Sequence, residues 1–175
     1  EAFEKSSTYD SRIFAYLNQE STNNISEVRE LRYGENPHQK GRFIGDFRDY
    51  ISQINGKEIS YNNLLDIDAS LNLLRDLESD RSIFLIHKHN NPCGVAIRDS
   101  LMEAYEDALA CDNISAFGGI LSTNKKIDKS SAEQINKLFF EILIAPDFDN
   151  HALTLLKSKK NRIIIQLNKI PTKNS

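Results

Sequence analysis

The chain has 175 residues, 39% of them hydrophobic and 27% charged, with a formal net charge of −3. This is long enough for one compact core and too apolar for a disordered polymer. The balance of 25 acidic against 22 basic residues excludes a broad basic field, so no nucleic-acid and no membrane partner is expected.

No apolar run approaches the roughly 20 residues of a membrane helix, and the opening Glu1-Ala2-Phe3-Glu4-Lys5 lacks a signal-peptide pattern. Two cysteines, Cys93 and Cys111, make no disulfide framework, and a reducing compartment, the cytosol, is expected.

In chain order, residues 10–20 suit a first helix, capped by Asp10 or Ser11, with Ile13, Tyr16 and Leu17 on one face. Residues 21–30 are polar, and Arg29 to Gln39 lack helical periodicity. Gly34, Pro37 and Gly41 mark a loop, and Phe43-Ile44 a short strand. From residue 64 the spacing of Ile67, Leu71, Leu74 and Leu77 predicts a helix, with Asp66 serving its N-terminus. Ile83-Phe84-Leu85-Ile86-His87 suits a buried strand, and Asn90-Asn91-Pro92-Cys93-Gly94 reads as a turn, because Pro fixes φ and Gly tolerates positive φ.

A helix is predicted over 100–111, where Ser100 and Glu103 fit a capping box ahead of Leu101, Ala104, Tyr105, Ala108 and Leu109. Residues 115–122 read as a strand interrupted by Gly118-Gly119. A helix over 130–140 follows, capped by Ser130 or Ser131. Ile142 to Ala145 is a short buried strand ended by Pro146. Asn150 caps a helix through Lys157, Arg162 to Leu167 is a last strand, and Lys169 to Ser175 is a polar tail. Strands alternating with helices give an α/β fold, a layered sheet with flanking helices.

Three clusters carry candidate chemistry. Lys88 and His89 place an ammonium beside an imidazole at a strand end, where open α/β sheets bind ligands. The plain alternative is a solvated basic turn. Adjacent residues on an extended segment point to opposite sides, so a shared ligand requires the turn to redirect one of them. Arg32 and Tyr33 open a second cluster, running to Gln39, in which Arg can grip phosphate and Tyr can stack or donate. An ordered surface turn with an Arg–Glu pair is its alternative.

Ser115-Ala116-Phe117-Gly118-Gly119 is the third cluster. Its glycines allow close backbone approach to a ligand, and a bulge is the plain reading. Glu141 can accept from an amide or amine, or simply end the preceding helix in water. Asn63 reads as a helix cap, and His151 as a surface residue. His87, His89 and Cys93 invite a metal reading, but a structural zinc site takes four ligands and position 96, where a second Cys would fall, is Ala96. His87, inside the apolar run, is better read as structural, and no metal is expected.

These segments together resemble the bifunctional AICAR transformylase / IMP cyclohydrolase family of purine biosynthesis. The resemblance rests on Leu31-Arg32-Tyr33-Gly34-Glu35-Asn36-Pro37-His38-Gln39, Gly56-Lys57-Glu58-Ile59-Ser60-Tyr61-Asn62-Asn63-Leu64-Leu65-Asp66, Lys88-His89-Asn90-Asn91-Pro92-Cys93-Gly94, Ser115 to Gly119, and Ile144-Ala145-Pro146, in that order. It runs over about residues 1–168.

The resemblance implies that residues 1–168 are the first of two cytidine-deaminase-like units of the transformylase region. Residues 1–20 follow a cyclohydrolase domain, and 169–175 form a polar tail. It implies formyl transfer from 10-formyltetrahydrofolate, as cosubstrate, to the 5-amino group of AICAR. His89 would be the general base, Lys88 would stabilise the developing charge, and Arg32, Tyr33, Asn63, Gly118 and Glu141 would contact AICAR. The family acts as a homodimer without a metal, and its folate contacts lie mostly in the second unit. A non-catalytic phosphate- or nucleotide-binding module is the alternative function, and a metal-dependent hydrolase a third.

Overall fold

The computed structural model describes residues 28–31, 34–44 and 47–169. The helix expected over 10–20, the pair Arg32 and Tyr33, and the tail beyond Lys169 lie outside them. Strands β1 (Val28–Leu31) and β2 (Gly41–Ile44) pair antiparallel as a small two-stranded sheet. Among the described residues the main sheet has six strands: β3 (Ile51–Asn55), β4 (Ser82–Lys88), β5 (Asn91–Arg98), β6 (Gly119–Thr123), β7 (Phe140–Ala145) and β8 (Ile163–Leu167). Their order across the sheet is β3-β8-β7-β6-β4-β5. The inner pairs β6–β7 and β7–β8 are parallel; β3–β8, β4–β6 and β4–β5 are antiparallel.

Among the described residues four helices flank this sheet: α1 (Tyr61–Leu77), α2 (Leu101–Cys111), α3 (Lys129–Ile135) and α4 (Asn150–Lys157). Strand alternation sends successive side chains to opposite faces. Ile83 and Leu85 of β4 join Ile67, Leu71 and Leu74 of α1 in one core. Phe84 and Ile86 join the apolar residues of α2, α3 and α4 in the other. The result is the expected α/β layering, with α1, among the described helices, on one face and the other three on the opposite face. Beneath α1 a buried Ser70 Oγ lies 2.6 Å from Ser122 Oγ of β6, a hydrogen bond that registers helix against sheet. No helix among the described residues is long and apolar enough to cross a membrane.

Several expectations shift. Helix α1 begins at Tyr61, three residues early, because Ser60 and Asn63 form a reciprocal capping box; Asp66 is not the cap. The box predicted at Ser100 and Glu103 is present. Helix α3 is capped by Asp128, whose carboxylate accepts from the Ser131 N–H at 2.7 Å, rather than by either serine, and it ends at Ile135. Phe140 then enters β7. The N-cap of α4 is Asp149, not Asn150. Residues 115–118 are turns, and β6 starts only at Gly119.

Asn91 to Gly94 are strand, not turn, and belong to the edge strand β5. Pro92 is tolerated there because an edge leaves one side of the ladder free of obligatory donors. Gly94 is small for a packing reason, since a Cβ at that position would sit 2.1 Å from the Ala108 carbonyl oxygen of α2. Its lack of a side chain lets α2 lie directly on β5. Gly94→Ala is therefore expected to destabilise the fold by about 1–3 kcal/mol through overpacking, measured as a lowered urea midpoint at constant slope.

Candidate active site

An open cleft of about 890 Å³ lies at the end of β4, between the N-terminal part of α1, the loop before it, and the starts of β6 and β7. Asn63, Lys88, His89, Gly118 and Glu141, singled out separately in the sequence, all line it. Glu35 and Asn36, which follow Arg32 and Tyr33, reach its rim; the Asn62 side chain donates to the Glu35 carbonyl at 3.5 Å.

The β4–β5 hairpin turns in two residues, His89 and Asn90, with φ of 52° and 62°. Two-residue hairpins favour turns of this sense because their twist matches that of the strands. Asn and His are among the side chains that tolerate positive φ best. The turn breaks the strand alternation after Lys88, so the ammonium and the imidazole line the same cleft. Lys88 is half-buried, and its Nζ donates to the Phe117 carbonyl oxygen at 2.6 Å. An ammonium has three donors, so two remain for a ligand. His89 is exposed.

Glu141 reaches the cleft through a register shift between β6 and β7: Gly119 pairs with Phe140 and Ile120 with Ile142, leaving Glu141 as the extra residue. A bulge re-aims the side chain it carries. The carboxylate sits 3.3 Å from Lys57 Nζ, and both side chains are well exposed. Such a pair contributes little to stability and leaves both groups available to a polar ligand. Lys57 belongs to the second of the family-like motifs, and the sequence gives no sign of its role. Its place opposite Glu141 is a contact across 84 residues of sequence, which no local pattern signals.

Gly118, at φ +73°, donates its N–H to the Phe139 carbonyl at 2.8 Å. A Cβ on Gly119 would sit 2.9 Å from the His87 carbonyl oxygen. The two glycines thus serve a tight turn and a close strand approach.

His87 is 1% exposed, and among the described residues its Nδ1 has no hydrogen-bond partner. Burial pushes its pKa down, outweighing the attraction of Asp66, so the imidazole is neutral at pH 7. Cys93 packs against the other core, on the α2 side, with its Sγ 3.5 Å from the Ile86 carbonyl oxygen. Burial pushes its thiol pKa up. His87 and Cys93 therefore face opposite sides of the sheet. Among the described residues no three His, Cys, Asp or Glu side chains gather as metal ligands.

The family described as AICARFT/IMPCHase bienzyme matches residues 1–175. The chain belongs to this family. It is 54% identical over 169 residues to the bifunctional purine biosynthesis protein PurH of Bacteroides thetaiotaomicron, covering 94% of this chain and 33% of that protein. It is 43% identical over 183 residues to the PurH protein of Clostridium acetobutylicum, covering 98% of this chain and 36% of that protein. It is 41% identical over 182 residues to the PurH protein of Caldicellulosiruptor saccharolyticus, with 94% and 35% covered. The chain spans about a third of the length of these relatives.

Beyond the residues to which the family resemblance gives a role, the cleft brings in Lys57, Glu58, Asp66 and His87. The buried His87 makes a pH-dependent contribution with a definite sign. Its folded pKa lies below its unfolded value of about 6.5, so the unfolded chain binds the proton first. Stability is fully present above about pH 6.5 and is lost as pH falls toward and through the lowered folded value. His87→Leu removes that loss. The difference in urea midpoint between variant and wild type should change in favour of the variant from pH 7 to pH 5; a pH-independent difference would contradict a buried neutral imidazole.

Proposed function

We propose that this chain is the first cytidine-deaminase-like unit of an AICAR transformylase region, and that its cleft takes the nucleotide AICAR. The observation that carries the reading is the convergence of Lys88 and His89 on one polar cleft, in a chain of this family, through a turn that breaks strand alternation. The reaction is formyl transfer from 10-formyltetrahydrofolate, in purine biosynthesis in the cytosol, within a homodimeric parent that also carries IMP cyclohydrolase activity.

The chemistry asks for three things at the amine. A base must take its proton, a donor must stabilise charge on the formyl oxygen, and other groups must hold the nucleotide still. The 5-amino nitrogen attacks the formyl carbon, a new C–N bond forms, and the bond from that carbon to the folate nitrogen breaks. The amine's proton leaves through His89 and is returned to the departing nitrogen. Lys88, with two donors to spare, stabilises the developing oxyanion or the leaving group. A positioned base contributes about 10²–10⁴-fold, and a charge-stabilising donor about 10²–10³-fold. Asn63 and Glu141 offer an amide and a carboxylate to the substrate's carboxamide and amine, and Gly118 permits close approach. Arg32 and Tyr33 are assigned to the phosphate and ring on family resemblance alone.

In the full-length gene product, His89→Ala is expected to cut turnover by about 10²–10⁴-fold with little change in AICAR affinity by calorimetry. Undiminished turnover in that variant, with binding lost in Arg32→Ala, would favour a binding module instead. The 175-residue chain alone is expected to show no formyl transfer in a coupled folate assay, because most of the folate contacts are assigned to the second unit.

A further inference from the structure

Asp66 is the sixth residue of α1 and lies beyond the first turn, where Ser60 and Asn63 already cap the helix. Its carboxylate is turned outward from the apolar stripe of Ile67, Leu71 and Leu74 and lines the cleft beside Asn63. There its Oδ1 accepts the backbone N–H of Asn90 at 2.6 Å. The ladder between β4 and β5 uses Lys88 and Asn91 as its last pair, so the hairpin itself gives the Asn90 N–H no partner. The partner comes from another layer of the fold, 24 residues earlier, and a charged acceptor makes this one of the stronger classes of hydrogen bond.

We propose that Asp66 is a positioning residue for His89: by holding the Asn90 N–H, its carboxylate pins the turn that aims the imidazole into the cleft. The inference rests on the reading of His89 as the base.

Two neighbours support it. His87 lies within electrostatic reach of Asp66, and among the described residues its buried Nδ1 makes no hydrogen bond, so that nitrogen does not share the carboxylate. Lys88 is tied on the opposite side, to the Phe117 carbonyl. The turn is thus held from α1 on one side and from the loop before β6 on the other. Without the Asp66 tether, two consecutive positive-φ residues are left to the hairpin and the Lys88 contact alone, in a conformation that residues other than Gly disfavour because Cβ crowds the following carbonyl oxygen.

The test compares Asp66→Leu and Asp66→Asn in the full-length gene product, reading kcat, KM for AICAR and hydrogen exchange at the 88–91 turn. Asp66→Leu should lower kcat by about 10–10²-fold, as loss of alignment does, with KM nearly unchanged and exchange at the turn accelerated. Asp66→Asn, which keeps an acceptor oxygen, should recover most of both. A raised KM with unchanged kcat would make Asp66 a substrate contact and overturn the proposal. Unaltered exchange in Asp66→Leu would overturn it, as would equal losses in both variants. If Asp66→Leu fails to fold, Asp66→Asn decides: near-normal kcat and slow exchange support the tether, and loss of either sinks it. Undiminished turnover in His89→Ala would instead sink the reading of His89, while exchange at the turn still reports on the tether.

Discussion

Two consecutive left-handed residues at the tip of the β4–β5 hairpin organise the rest of this molecule's candidate site. Positive φ at His89 and Asn90 reverses the chain in the minimum number of residues. It also releases His89 from the alternation that would have aimed it away from Lys88. Everything around the turn serves to hold it: the ladder of β4 against β5 and β6, the Asp66 carboxylate, and the Phe117 carbonyl. The turn is exposed and polar, so its geometry depends on hydrogen bonds rather than on buried area. Such sites are placed accurately only when a rigid element stands beneath them.

That rigid element is β4. Its residues from Ser82 through His87 are buried, and it is paired on both edges. Close backbone approach around it depends on absent side chains. Gly94 lets α2 rest on β5, and Gly119 lets the start of β6 come up against the His87 carbonyl. Apolar burial on both faces supplies the main driving force, and the exposed ion pairs, such as Arg81 with Asp99 or Lys57 with Glu141, add little to it. The Lys57–Glu141 pair in the cleft therefore contributes little to holding the fold.

Two buried nitrogen bases mark where polar groups have been taken from water. Arg162 is almost wholly buried, stacks its guanidinium 4.1 Å over the Phe140 ring, and donates to Asn136 at 2.6 Å, so its desolvation is offset by a hydrogen bond and a cation–π contact. His87 has no such compensation at Nδ1, and it meets burial by remaining neutral. Its position one residue before the Lys88–His89 pair keeps the floor of the cleft free of an added positive charge.

What could be read from the sequence was whatever local physics decides. Apolar spacing over Ile67 to Leu77 and a capping box at Ser100 identified two helices, the unbroken run 83–87 identified the buried strand β4, and alternation of elements pointed to the α/β class. Five ordered motifs led to the family, and the candidate site residues within the described part, Asn63, Lys88, His89, Gly118 and Glu141, line one cleft. The sequence misread β5, because Pro92 and Gly94 mimic a turn when their reasons are an edge position and a helix overhead. It misplaced Asp66 at a helix start and left Glu141 ambiguous, because a bulge between parallel strands has no local signature. The pairings of Lys57 with Glu141 and Asp66 with Asn90 join residues far apart in the chain, so only the tertiary structure decided them: their partners are set by how layers stack, and no spacing along one segment encodes that.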